Sequence, residues 1–103
     1  MRILVVEDRL SVRTMIADYL TQQHYFVSVA SNGSEALQLC QTEEFDCILL
    51  DLMMPVMDGP TTLLELRKMT PTANTPVVFM TAKVQSVELE YYRNLGALGV
   101  IAK

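Results

Sequence analysis

The chain alternates between short unbroken apolar runs and longer stretches in which apolar residues recur every three or four positions. Ile3-Leu4-Val5-Val6 is continuously apolar and rich in β-branched residues, as expected of a strand covered on both faces. Val12, Met15, Ile16 and Tyr19 then fall at i, i+3, i+4 and i+7, which is one face of a helix. A second strand is predicted from Phe26 to Ala30. Ser31-Asn32-Gly33-Ser34 follow with turn and helix-capping chemistry. Ala36, Leu37 and Cys40 mark the inner side of a second helix, and Cys47-Ile48-Leu49-Leu50 reads as a third buried strand that ends at Asp51.

Pro55 and Asp58-Gly59-Pro60 mark a long loop. Pro60 suits the first turn of the next helix, where a missing N–H costs nothing. Leu63, Leu64, Leu66 and Arg67 belong to that helix. Pro71 and Pro76 bracket another loop before Val77-Val78-Phe79-Met80, a fourth strand that stops at Thr81. A fourth helix is predicted from about Gln85 to Leu95, with Gly96 to stop it, and a fifth strand from Leu98 to Ala102, ending at Lys103. Strands that alternate with helices through short connections predict an α/β fold. The strands are parallel, the crossovers right-handed, and helices cover both sheet faces.

Composition narrows the class without choosing it. The 103 residues fit one domain, 50% are hydrophobic and 19% are charged, which is ordinary for a globular protein with a single core. A net charge of −4 with no Lys/Arg run gives no electrostatic footprint for nucleic acid or an anionic membrane. Apolar runs such as Cys47–Leu50 are far too short to span a bilayer. The N-terminal apolar run breaks off at Glu7-Asp8, so no secretory signal is visible and a cytoplasmic location is expected. Cys40 and Cys47 stand without a second pair or a histidine cluster and read as small buried residues. His24, between the first helix and second strand, reads as a surface turn residue, and one of Tyr91 and Tyr92 is expected to face solvent or a partner. Met53, Met54 and Met57 read first as packing residues.

In open parallel sheets, ligands bind outside the carboxyl ends of the strands. The residues there are Glu7 and Asp8, Asp51, Thr81 and Lys103. Each alone is an ordinary loop start or cap; together they form a chemical set. Like charges about 4 Å apart repel by roughly 4 kcal/mol at an effective dielectric of about 20. A carboxylate cluster therefore needs a cation or gains protons. Mg²⁺ suits hard oxygen ligands and, with Lys103, would balance Glu7, Asp8 and Asp51. Lysine also suits a phosphoryl oxygen, and the Thr81 hydroxyl can donate to another. An Asp can act as the nucleophile that forms an acyl phosphate.

Val5-Val6-Glu7-Asp8, Asp51-Leu52-Met53-Met54-Pro55-Val56-Met57-Asp58-Gly59, Met80-Thr81-Ala82 and Ala102-Lys103 stand in order along the chain. In these blocks, and over its whole length, the chain resembles the response-regulator receiver domains of two-component signalling, the chemotaxis regulator among them. The resemblance implies a flavodoxin-like sheet of order 2-1-3-4-5. It implies phosphorelay signalling, in which Asp51 accepts a phosphoryl group from the phosphohistidine of a sensor histidine kinase or phosphotransfer protein. Slow self-hydrolysis follows, so the domain catalyses its own chemistry without being a conventional enzyme. It further implies Mg²⁺ held by Glu7, Asp8, Asp51 and the backbone carbonyl of Met53, with Thr81 and Lys103 on the phosphoryl oxygens. The change would pass to an output domain or target protein.

Two departures stand out. Val100 occupies the position, three before the lysine, where many receivers carry an aromatic switch residue. The chain also stops at Lys103, where receivers continue into a fifth helix. It is therefore expected to be a C-terminally truncated fragment of a longer regulator, with an apolar face open to a covering chain, such as a homodimer partner. Met53 and Lys83 flank the expected path of attacking water. Two alternatives compete with this reading: a phosphorylation-independent flavodoxin-like interaction module, and a nucleotide-binding enzyme. The intact acid–Asp–Thr–Lys set weighs against the first, and the lack of a Gly-rich loop after the first strand weighs against the second.

Overall fold

The computed structural model describes residues 1–82 and 90–102 in full and residues 86–89 by their backbone. In chain order the elements are β1 (Arg2–Val6), α1 (Leu10–Gln22), β2 (Phe26–Ala30), α2 (Gly33–Thr42), β3 (Cys47–Asp51), α3 (Gly59–Lys68), a short 3₁₀ turn (Thr70–Thr72), β4 (Val77–Thr81), α4 (Ser86–Asn94) and β5 (Gly99–Ala102). The strands form one sheet of order β2-β1-β3-β4-β5, and every neighbouring pair is parallel. This is the flavodoxin-like order, which the sequence resemblance implied. The fifth strand starts at Gly99, one residue later than expected. Ala97 is buried beside it and Leu98 points to solvent.

Local signals explain the helix starts. Asn32 caps α2 by accepting from the Glu35 N–H at 2.8 Å, and Asp58 caps α3 by accepting from the Thr61 N–H at 2.8 Å. Pro60 lies in the first turn of α3, as expected. Gly96 has φ +113 just beyond α4, a left-handed conformation that glycine adopts without steric cost. His24 also takes positive φ and is exposed in the turn before β2, and its N–H donates to the Thr21 carbonyl.

The two faces of the sheet are packed unequally. Leu4, Val6, Ile48, Leu50, Val77 and Phe79 point to one face, where Ala36 and Cys40 of α2 and Leu63 and Leu66 of α3 complete the main core. Tyr92 of α4 packs edge-to-face on Phe79 with ring centres 5.3 Å apart. Ile3, Val5 and Met80 point to the other face, against Ile16 and Leu20 of α1. That face is thin. No residue of α1 is fully buried, and Met15 and Tyr19, on the apolar face that the sequence periodicity marks, are 64% and 62% exposed. Met15, Ile16, Tyr19 and Leu20 line an open apolar groove of about 400 Å³ with Leu49, Met80, Ile101 and Ala102. Leu64 of α3 is 48% exposed. Its neighbours Leu63 and Leu66 are the residues that face the sheet, because the helical period puts position 64 on the flank.

Cys40 is buried under α2, and burial pushes its thiol up to about 11. Half-buried Cys47 is raised too, mainly by desolvation. Both are free thiols that stay protonated at neutral pH, so the packing role expected of them holds. Arg67 ties the C-terminal end of α3 to later loops, donating to the Thr72 and Thr75 carbonyls at 2.8 and 2.7 Å and to the Gly96 carbonyl at 3.0 Å.

The asymmetry of the two faces is measurable. Leu66→Ala, in the main core, should lower unfolding stability in urea by about 2–5 kcal/mol. Met15→Ala, on the thin face, should change it by no more than about 0.5 kcal/mol. Equal losses would show that the α1 face carries as much packing as the α2–α3 face.

Candidate functional site

Register brings the acids together. At the entry to β1 and β3, the Arg2 N–H donates to the Asp46 carboxylate at 2.7 Å and the Asp46 N–H donates to the Arg2 carbonyl at 2.8 Å. With that register Val6 pairs with Leu50, so the next residues, Glu7 and Asp51, emerge side by side. Leu50 pairs with Phe79 and Asp51 with Met80, which places Thr81 one step further along β4. Thr81 in turn pairs with Ala102. Lys103, the next residue, lies outside the described residues, as does Lys83.

The ligand atoms of Glu7, Asp8 and Asp51 all lie within 4.8 Å of one another. Glu7 is fully buried, Asp51 is 3% exposed and Asp8 is half-buried. A cavity of about 150 Å³ opens beside Asp8 and Asp51, lined also by Arg9, Met53, Thr81 and Ala82. Carboxylates at such a distance repel pairwise by roughly 3 kcal/mol at an effective dielectric of about 20. Three hard oxygen donors beside a small cavity fit Mg²⁺, which keeps several waters and takes one or two carboxylates. The uncapped N-terminus of α1 adds partial positive charge next to the same acids.

The loop after Asp51 is shaped by close backbone approach. The Leu52 N–H donates to the Met80 carbonyl and the Gly59 N–H to the Leu52 carbonyl, both at 3.0 Å. The Met53 N–H lies 3.4 Å from Asp51 Oδ1. A Cβ at position 59 would sit 2.7 Å from the Asp51 carbonyl oxygen and 2.9 Å from Leu52 Cα. Only glycine lets the start of α3 press this closely on the acid-bearing strand. Val56 has φ +72 and is 85% exposed, and Met53 is 82% exposed. Of the three loop methionines, only Met54 is fully buried as packing.

The set predicted from sequence is thus assembled as far as the structure describes it: Glu7, Asp8, Asp51, Met53 and Thr81 meet at one edge. Val100 is half-buried and packs against the main core. Tyr91 is 58% exposed while Tyr92 packs inward. The sequence reading missed two arginines. Arg9 lines the cavity, and Arg13 donates from Nη1 to the Glu7 carbonyl at 3.0 Å. Their four-residue spacing directly after the acid pair was the available signal.

A doubly wound parallel α/β domain with an acidic cleft at its carboxyl edge is the class that fold and site define. The sequence matches the response regulator receiver domain family over residues 3–103, and the chain belongs to that family. It is 37% identical over 101 residues to the probable transcriptional regulator ycf29 of Porphyra purpurea, covering 98% of this chain and 48% of that protein. It is 40% identical over 81 residues to the transcriptional regulatory protein SrrA of Staphylococcus aureus, covering 79% of this chain and 32% of that protein. The chain therefore spans half or less of the length of these curated relatives. Among solved structures it resembles the chemotaxis protein CheY4 of Vibrio cholerae, with TM-score 0.93, 31% identity and coverage of 99% of this chain and 85% of that one. It also resembles the receiver domain of sensor histidine kinase PA1611 from Pseudomonas aeruginosa, with TM-score 0.88, 28% identity and coverage of 99% and 84%. That structure holds a magnesium ion coordinated in its active-site cleft. Among the described residues of this chain no helix is long and apolar enough to cross a membrane.

Gly59→Ala should lower stability by about 1–3 kcal/mol, because backbone and not a flexible side chain must move to admit the methyl group. An unchanged urea midpoint would mean that the approach of α3 to the acid strand is looser than it looks.

Proposed function

We propose that this domain is a phosphorylation switch of a two-component system, with Asp51 as phosphoacceptor. The observation that carries the reading is the gathering of the Glu7, Asp8 and Asp51 carboxylates within 4.8 Å beside a cavity that Asp8, Asp51 and Thr81 line. A carboxylate oxygen of Asp51 attacks the phosphorus of a phosphohistidine. The new O–P bond forms as the P–N bond breaks, and the imidazole nitrogen keeps the electron pair. Asp51 is held ready by its place at the end of a central strand and by the Met53 N–H beside its Oδ1. Thr81 supplies a hydroxyl to one phosphoryl oxygen, and Lys103 supplies a point charge to another. Glu7, Asp8, Asp51 and the Met53 carbonyl are the residues that would hold Mg²⁺. Bound there, the metal would supply charge neutralisation for the incoming phosphoryl group.

The donor is a sensor histidine kinase or phosphotransfer protein in the cytoplasm. The likeness to transcriptional regulators of twice this length or more supports an output in a further domain. Hydrolysis of the acyl phosphate by water resets the switch. Val100 has no ring, so the aromatic movement that many receivers use as a readout is not available at that position.

Incubation with acetyl phosphate and Mg²⁺ should add one phosphoryl group by intact-mass spectrometry, and Asp51→Asn should abolish it. Asp8→Asn should weaken Mg²⁺ binding, while Asp18→Asn on α1 should not. A phosphoryl adduct that persists in Asp51→Asn would displace the acceptor. Absence of any adduct in the wild-type protein would favour an interaction module that never takes phosphate.

A further inference from the structure

Glu7 is the first residue after β1, and it is fully buried. Its peptide and side chain are pinned at three points. The Glu7 N–H donates to the Ala30 carbonyl at 3.1 Å. Glu7 Oε1 accepts from the Arg9 N–H at 3.2 Å. The Glu7 carbonyl accepts from Arg13 Nη1 at 3.0 Å. The first two contacts are local or part of the sheet edge. The third is made by a half-buried side chain that reaches back from the second turn of α1.

We propose that Arg13 is a positioning residue for the acidic cleft: its bond to the Glu7 carbonyl fixes the peptide that aims Glu7 and Asp8 at Asp51, and a divalent cation binds tightly only while that bond is made. The inference rests on the functional reading above and names one of its controls. Arg13 never touches the metal or the phosphoryl group; it acts through Glu7. The bond is charge-assisted and so stronger than a neutral one. Arg13 also faces α2. The Glu35 carboxyl is held below its usual value chiefly by the Ser31 hydroxyl and then by the Ser31 N–H, with the Arg13 charge as a further cause. Arg13 thus ties the end of β1 to α1.

Electrostatics and positioning predict opposite signs for its removal, which makes the proposal testable. A positive charge near a cation site opposes metal binding, so loss of charge alone would tighten Mg²⁺. Loss of the strut would loosen the ligands and weaken it. Removing such an outer partner typically costs about 10–100-fold in metal affinity.

The experiment titrates Mg²⁺ into the isotope-labelled chain and follows the amide signals of Asp8, Asp51 and Met53 by NMR, with thermal midpoints recorded alongside. Arg13→Met, which keeps the apolar stem, should weaken Mg²⁺ by about tenfold or more. Arg13→Lys, which keeps a charged donor of sufficient reach, should restore most of the affinity. Lys68→Ala, a charge removed from the far end of α3, should leave it unchanged. Affinity equal to or tighter than wild type in Arg13→Met would overturn the proposal, as would an equal loss in Lys68→Ala. Should Arg13→Met fail to fold, the wild-type protein carries the test. Saturating Mg²⁺ should then slow solvent exchange of the Arg13 guanidinium protons, and unaltered exchange would overturn the proposal. A wild-type protein with no saturable Mg²⁺ binding would instead defeat the functional reading itself, and this inference with it.

Discussion

Mutual repulsion of three carboxylates is the constraint around which this domain is arranged. Glu7, Asp8 and Asp51 would separate in a free chain, yet the fold holds their ligand atoms within 4.8 Å. It does so through β1–β3 register, set at the opposite end of the strands by the reciprocal Arg2–Asp46 hydrogen bonds. A slip of one residue would send Glu7 and Asp51 to different levels and turn every side chain to the wrong face. The cost of gathering the acids is met by the main core, where Leu50 and Phe79 directly precede Asp51 and Met80 in their strands and are themselves fully buried. Central strands therefore carry Glu7 and Asp51 at their carboxyl ends, and the loop after Asp51 carries Met53.

The unequal faces of the sheet divide the work. The α2–α3 side is packed tightly enough that a Cβ at Gly33 would collide with the Thr62 hydroxyl and one at Gly59 with the Asp51 backbone. The α1 side is thin and open, with an apolar groove between α1 and β5. The acid-bearing segment after β1 leads straight into α1, a helix with no fully buried residue. Arg13 of α1 bonds the Glu7 carbonyl across this junction. The proposed switch would thus have firm packing on one side of the cleft and thinner packing on the other.

Much of this was legible in the sequence, for identifiable reasons. Ile3–Val6, Cys47–Leu50 and Val77–Met80 are central strands buried on both faces, so their unbroken apolar runs gave unambiguous strands and put Asp51 and Thr81 at the carboxyl edge. Asn32, Asp58 and Pro60 carry local capping chemistry that does not depend on the rest of the fold. What failed to show was tertiary. Apolar periodicity marks which residues of α1 share a face but not how far that face is covered, so the exposure of Met15 and Tyr19 could not be read from it. Leu64 lies at the margin of the α3 stripe, where period alone cannot separate flank from core. Arg13 was passed over because its spacing after the acid pair marks a helix face but not the backbone carbonyl six residues earlier that its side chain bonds. The positive φ of Val56 was equally hidden, since nothing about valine announces a left-handed conformation.

The most direct test of the central constraint is a crystal structure of the chain grown with Mn²⁺ in place of Mg²⁺, with the metal located by its anomalous signal. The acidic cleft should hold one ion, bound to carboxylate oxygens of the Glu7, Asp8 and Asp51 cluster and to the Met53 carbonyl at about 2.0–2.2 Å, near the octahedral Mg²⁺ distance. A metal found elsewhere, or a cleft without metal in which the three carboxylates have moved apart, would contradict it.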